Sequence, residues 1–180
     1  GLIPGITESA AAELAALASL RPGVAAQLAR ECGCAKACES YDAVIDAPNI
    51  DAIYIPTTGE SHRHWTLRAA RAGKHVLCEK SLATTVAEAE EMVDVCRKQG
   101  VILQEAFMWR HHPRSKEAKR LLTEGAIGQL RLVCAHFSFS IDPQDWRLDP
   151  KQGGGAIWDI GCYGVNASRH LDRKSTRLNS

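Results

Sequence analysis

The chain lacks any apolar run near the roughly 18 residues needed to span a membrane, and its first residues carry no basic, apolar, small-residue leader. Charge of a dominant sign is missing too: 22 Lys and Arg stand against 21 Asp and Glu, a formal net charge of +1. That balance gives no global pull toward nucleic acid or an anionic membrane, so neither is expected as a partner. Gly (14) and Pro (7) are too few, and too scattered, for a collagen-like or low-complexity chain. The apolar share of 45% and charged share of 24% are those of a globular protein. An even cysteine set is absent. Seven cysteines without a leader point to free thiols in a reducing, cytoplasmic compartment. Cys32, Cys34 and Cys38 form a C-x-C-x3-C cluster, but zinc sites mostly use C-x2-C and a fourth ligand, so half-buried thiols around a turn are expected there, and no metal. The first residue is Gly1 rather than Met, and the chain is expected to start downstream of the translation start.

What is present alternates. Residues 12–19 are an apolar run compatible with strand or helix, stopped by the turn signal Arg21-Pro22-Gly23. Residues 24–30 and 41–47 read as short helices. Residues 51–56 (DAIYIP) read as a buried strand closed by proline. Residues 61–72 read as a helix with Trp65, Leu67, Ala69 and Ala70 inward, and Gly73 stops it. Residues 75–78 form the next strand. Thr84 or Thr85 caps a helix running to Gln99, with Glu88 placed for a capping box, and 101–104 is a further strand. Short strands separated by helices predict a parallel, doubly wound sheet. Right-handed crossovers then put the strand C-termini, where such sheets bind ligands, along one edge. The segments to examine are therefore 57–62, 79–81 and 105–110.

Past Trp109 the pattern changes. A charged helix is expected over 115–124. The period-2 stretch 129–140 (QLRLVCAHFSFS) predicts a long half-exposed strand, and Gly153-Gly154-Gly155 leads into a helix over 156–171. This is the start of a second, α+β domain with too few elements to bury a core alone.

Several of these residues carry chemistry. Lys80, beside Glu79 at the ligand edge, is able to hold a substrate hydroxyl, or else forms a solvated pair with Glu79. Asp159 and Tyr163 share one face of the last helix, and a tyrosine near a lysine is a workable proton acceptor because the cation favours phenolate. A core ring and a helix-face charge is the alternative. His62, His64, His111 and His112 lack metal-ligand spacing. Trp109 and Arg110 suit a flat ring or a phosphate, or else a domain interface.

GKHVLCEK (73–80), EAFMWRHHP (105–113), GAIGQLRLV (125–133) and GGGAIWDIGCYGVN (153–166) together resemble the Gfo/Idh/MocA oxidoreductases. The likeness is strongest to the branch holding glucose-fructose oxidoreductase, NADP-dependent D-xylose dehydrogenase and dimeric dihydrodiol dehydrogenase, and it covers residues 1–171. It implies a truncated NAD(P)-binding Rossmann domain over 1–108 and the start of a C-terminal substrate and oligomerisation domain, with a largely antiparallel sheet, over 109–171. By the same resemblance Lys80 contacts substrate and nicotinamide, and Asp159 and Tyr163 are the acid and the proton-transfer residue. Thr57, Thr58 and His62 lie along the cofactor with Glu79, and Trp109 and Arg110 sit near its nicotinamide end. Ser19 and Arg21 follow the strand that selects the adenosine end, and Arg21 as partner for a 2′-phosphate tips the expected cofactor slightly toward NADP over NAD.

The departures are specific. No G-x-G-x-x-G turn is present, and residues 1–9 look like the end of a first helix, so the first strand and its phosphate turn are expected to precede Gly1. Ser81 replaces the proline of the family's Glu-Lys-Pro motif, and Gly59 an asparagine. Residues 172–180 depart from the family pattern and read as a non-native tail. The expected activity of the parent is hydride transfer between nicotinamide and a hydroxyl-bearing carbon of a small sugar or cyclic diol, in a homo-oligomer joined through the C-terminal sheet. A non-catalytic NAD(P)-sensing regulator of the same fold, or an inert truncated product that binds cofactor poorly, are the alternatives.

Overall fold

A computed structural model describes residues 2–172. It opens with α1 (Leu2–Thr7), β1 (Leu17–Ala18), α2 (Val24–Cys32), β2 (Ala37–Cys38) and α3 (Tyr41–Ile45). Then come β3 (Ala52–Ile55), α4 (Gly59–Arg71), β4 (His75–Cys78), α5 (Val86–Gln99) and β5 (Leu103–Glu105). β1 pairs with β2 in parallel, and β3, β4 and β5 form a second parallel ladder in that order, Ile55 opposite Cys78 and Cys78 opposite Glu105. The α/β alternation with a Rossmann-like parallel sheet matches the pattern of short apolar strands and longer helices.

Each element has a local cause. α4 presents Thr66, Leu67, Ala69 and Ala70 inward, and the two alanines let it approach the sheet closely. Ile55, Leu67, Ala69, Val76, Cys78, Ala83 and Met92 make one core under α4 and α5. α5 begins with a complete capping box: Thr85 Oγ1 accepts from Glu88 N–H at 3.2 Å, and Glu88 Oε2 accepts from Thr85 N–H at 3.2 Å. Gly100, at φ 70°, closes it in the left-handed conformation.

After β5 the chain makes a 3₁₀ turn (Met108–His111), then α6 (Pro113–Thr123). Two 3₁₀ turns (Trp146–Leu148 and Pro150–Gln152) precede a π-helical stretch (Ile157–Gly161) that continues into α7 (Cys162–Leu171). The helix expected over 156–171 therefore starts as a π-turn.

Three expectations need correction. β2 was not foreseen, since Ala37–Cys38 is too short to show a period. The long strand expected over 129–140 is absent: those residues belong to no regular element, because among the described residues no neighbouring strand offers them a ladder. Alternation marks a segment that suits a pleat, but the hydrogen bonds must come from a partner. α6 starts at Pro113 rather than 115, since proline suits the first helical turn and His112 Nδ1 caps it by accepting from Arg114 N–H at 3.1 Å. Of the tail expected over 172–180, residues 173–180 lie outside the described residues. No helix among the described residues is long and apolar enough to cross a membrane.

Candidate active site

Parallel pairing brings the loops after β3, β4 and β5 to one edge. Lys80 stands two residues past β4, and the Lys80–Ser81 peptide is cis. Its Nζ donates to Asp159 Oδ1 at 2.6 Å and to the Asp159 carbonyl at 2.7 Å. Both side chains are mostly withdrawn from water, at 18% and 12% exposure. Removing either partner of a pair so placed strands a charge at a cost of about 3–5 kcal/mol. The same Asp159 oxygen lies 3.5 Å from Arg147 Nε, and Arg147 is itself held by Asp145 and stacked over Trp146. Tyr163, one helical turn on from Asp159, places its ring 5.5 Å from Lys80 Nζ. Phe107 and Phe137 pack edge-on against that ring at 5.4 and 5.5 Å and fix its plane.

An amine, a carboxylate and a phenol 79 and 83 positions apart along the sequence thus share one site. The electrostatics differ from the sequence expectation in one respect. Burial pushes the Tyr163 phenol above its ordinary value, and Glu79, Cys162 and Asp159 push it further the same way. The cation does not favour phenolate here, because Lys80 spends its charge on Asp159 and the surrounding carboxylates oppose a second anion.

Beside this cluster lies a small cavity of about 30 Å³, room for one or two waters. Thr57, Gly59, Lys80, Ser81, Gly153 and Asp159 are among its walls. The glycine run packs directly on the start of α4: a Cβ on Gly153, at φ +76°, would meet Gly59 Cα and Thr84 Cγ2 at 3.2 Å. At that spacing, and at a positive φ, glycine is the residue that fits without moving its neighbours.

Thr57 lines the cavity, its Oγ1 accepting from Ser61 Oγ at 2.7 Å. Thr58 stands at the N-cap of α4 and donates to Glu60. Glu79 is engaged internally, accepting from Tyr54 Oη at 2.6 Å and from Lys80 N–H at 3.2 Å. That bond and burial together raise the Tyr54 phenol, burial foremost. His62, expected along a cofactor, is 1% exposed, and its ring nitrogens lie 2.9 Å from the Thr57 and Ser81 carbonyls rather than facing the cleft.

Trp109 and Arg110 gather at the far end of α7: the Trp109 ring meets His170 edge-on at 5.3 Å, and Arg110 Nη2 lies 3.1 Å from His170 Nδ1. Seven residues of helix separate His170 from Tyr163, about 10 Å of rise. Ser19 and Arg21 follow β1, where Ser19 Oγ accepts from Arg21 N–H at 3.1 Å; they take no part in the Lys80 cluster. Sequence reading missed Arg147, Trp158 and the hydroxyl of Ser81, which have no signature spacing and act through contacts 12 to 77 residues away.

Comparison with known proteins follows the same division. A family model described as an oxidoreductase family with an NAD-binding Rossmann fold matches residues 2–107, and one described as a GFO/IDH/MocA C-terminal domain matches residues 115–177. The dTDP-3,4-didehydro-2,6-dideoxy-alpha-D-glucose 3-reductase of Actinomadura kijaniata is 38% identical over 167 residues, 92% of this chain and 50% of that protein. D-xylose 1-dehydrogenase (NADP(+)) 2 of Haloferax volcanii is 38% identical over 170 residues, 93% of this chain and 52% of that protein. The crystal structure of KijD10, a 3-ketoreductase from Actinomadura kijaniata in complex with NADP and TDP-benzene, superposes with a TM-score of 0.86 at 37% identity, covering 94% of this chain and 52% of that one. The chain spans about half the length of the curated relatives it matches.

Proposed function

This chain belongs to the GFO/IDH/MocA oxidoreductase family, and from that premise we propose that the full-length protein transfers hydride between a nicotinamide cofactor and a hydroxyl-bearing carbon of a sugar or cyclic diol. The observation that carries the reading is the convergence of Lys80, Asp159 and Tyr163 at the ligand edge of a parallel sheet.

The residues present fit the nicotinamide end of NADP or NAD. Thr57 and Thr58, after β3 on that edge, supply polar groups beside Lys80, and Trp109 Nε1, a buried donor with no hydrogen-bond partner among the described residues, lies with Arg110 about 10 Å further along α7. When bound, the nicotinamide supplies or takes the hydride. NADP is the proposed preference, with Arg21 as the partner for its 2′-phosphate and Ser19 beside it.

The chain's own residues handle the proton. Lys80 has three N–H donors and commits two to Asp159, which leaves one for the oxygen of the reacting carbon. Asp159 fixes where that third donor points, and Arg147 braces Asp159 from the other side. A phenol raised by burial and neighbouring carboxylates stays protonated near neutral pH, so Tyr163 is set to give its proton to a carbonyl oxygen during reduction and to take it back in the reverse direction. The setting we infer is cytoplasmic and reducing, in keeping with seven free thiols, and the assembly a homo-oligomer through the C-terminal sheet.

The test is the full reading frame assayed by nicotinamide absorbance over aldoses, keto sugars and cyclic diols. Turnover is expected, and Lys80→Met is expected to lower kcat by about 10²–10⁴-fold. Full activity in that variant overturns the lysine role. Cofactor binding without turnover on any compound turns the reading to an NAD(P)-sensing regulator.

A further inference from the structure

His62 is the largest polar group in the core whose ring serves only main-chain atoms. Its nitrogens face two carbonyls from different loops, that of Thr57 after β3 and that of Ser81 after β4, each at 2.9 Å. A carbonyl oxygen only accepts and a neutral imidazole carries one N–H, so the ring donates to one of these two carbonyls and packs its other nitrogen against the second. Without that donor the carbonyl it serves would be buried unpaired, and the contact between the two loops would be lost.

Ser81 carries the connection onward. Its Oγ donates to the Trp158 carbonyl at 2.6 Å, while its neighbour Lys80 grips Asp159. Two adjacent residues of one loop therefore hold two adjacent residues of the π-helical stretch. A single ion pair lets a loop pivot about the contact, whereas two attachment points fix its orientation. On the other side Glu105 Oε1 accepts from Leu82 N–H at 2.9 Å, so the loop is pinned beyond Ser81 as well. A residue without a hydroxyl at this position would have nothing to give the Trp158 carbonyl, so this second attachment depends on the serine.

We propose that His62 and Ser81 are positioning residues: they clamp the Lys80 loop between the Thr57 loop and the Trp158 segment, and so hold the Lys80 amine on Asp159. The clamp deepens the proposed function by resting on Lys80 as the site's cation, but its geometry is testable without turnover.

The experiment is amine labelling of the full-length protein, each lysine's rate followed by mass spectrometry. In the unmodified chain Lys80 is expected to react slowly. Ser81→Ala is expected to speed Lys80 about three- to tenfold, the loss of one hydrogen bond, while Lys74 and Lys98 keep their rates. Ser81→Thr, which restores the hydroxyl, is expected to return Lys80 to its original rate, and a rate left at the Ser81→Ala value tells against the clamp. His62→Ala is expected to act in the same direction. Should His62→Ala fail to fold, the Ser81→Ala and Ser81→Thr pair decides. An unchanged Lys80 rate in folded Ser81→Ala overturns the clamp. Selective exposure of Lys80 in a protein that turns over no sugar upholds the clamp and overturns the catalytic reading alone.

Discussion

Glu105 closes β5 with its carboxylate drawn out of water. Burial raises its pKa, while the Leu82 N–H, His62 and Arg110 pull it down, and burial wins. A folded pKa above the unfolded one contributes stability below the unfolded value and loses it as pH rises through the folded value. Glu105→Gln keeps an oxygen for the Leu82 N–H and removes the penalised charge. It is therefore expected to shift the urea midpoint upward from pH 6 to 8, and the gain is expected to vanish near pH 4, about the ordinary glutamate value. Cys78 shows the same cause without titration in range, its thiol pushed up to about 12 by burial. At this scale sequence could name chemistry-bearing residues but not the sign of their shifts. Tyr163 is expected from sequence near a lysine whose charge favours phenolate, and it sits beside a lysine already paired with Asp159, its phenol raised by burial.

At the scale of elements, α5 was legible nearly whole, because its start and stop are written in adjacent residues: Thr85, Glu88 and Gly100. The Thr84 hydroxyl is the largest cause of a lowered Glu88 pKa, with the Thr84 and Thr85 backbone bonds behind it. A lowered acid contributes stability above its unfolded pKa and loses it as pH falls through the folded value. Thr85→Ala is expected to cost about 1 kcal/mol in chemical denaturation at neutral pH. Glu88→Gln is expected to flatten the loss of stability between pH 5 and 3. Residues 129–140 mark the opposite case. Their period-2 pattern changes face between Cys134 and Phe137, as a bulged strand would, yet strand formation depends on a partner that local sequence does not contain.

At the scale of the molecule, the glycine-rich turn before α7 is the joint between the sheet edge and the C-terminal segment. Gly154 and Gly155 N–H groups donate to the Asp149 and Arg147 carbonyls at 3.0 and 2.7 Å. A Cβ on Gly154 would lie 2.6 Å from the Arg147 carbonyl oxygen and 2.7 Å from that of Asp149, both main-chain atoms. Gly154→Ala is therefore expected to displace the turn, at about 1–3 kcal/mol. Hydrogen exchange is expected to rise over 145–155 and 57–60, with β3, β4 and β5 amides unchanged. An unaltered exchange pattern would mean that the turn is not what seats the C-terminal segment on α4.

The sequence by itself determined where the elements with local signals lie and which loops reach the ligand edge. It also singled out Lys80, Asp159 and Tyr163, because strand endings, caps and helix faces are short-range facts. Tertiary structure decided everything that depends on distant neighbours. It turned His62 inward onto two carbonyls, bound Lys80 to Asp159, set Arg147 behind them and raised rather than lowered the Tyr163 phenol. Hydrogen bonds and charges act through space over a few ångströms, so their partners are chosen by how the chain folds back on itself.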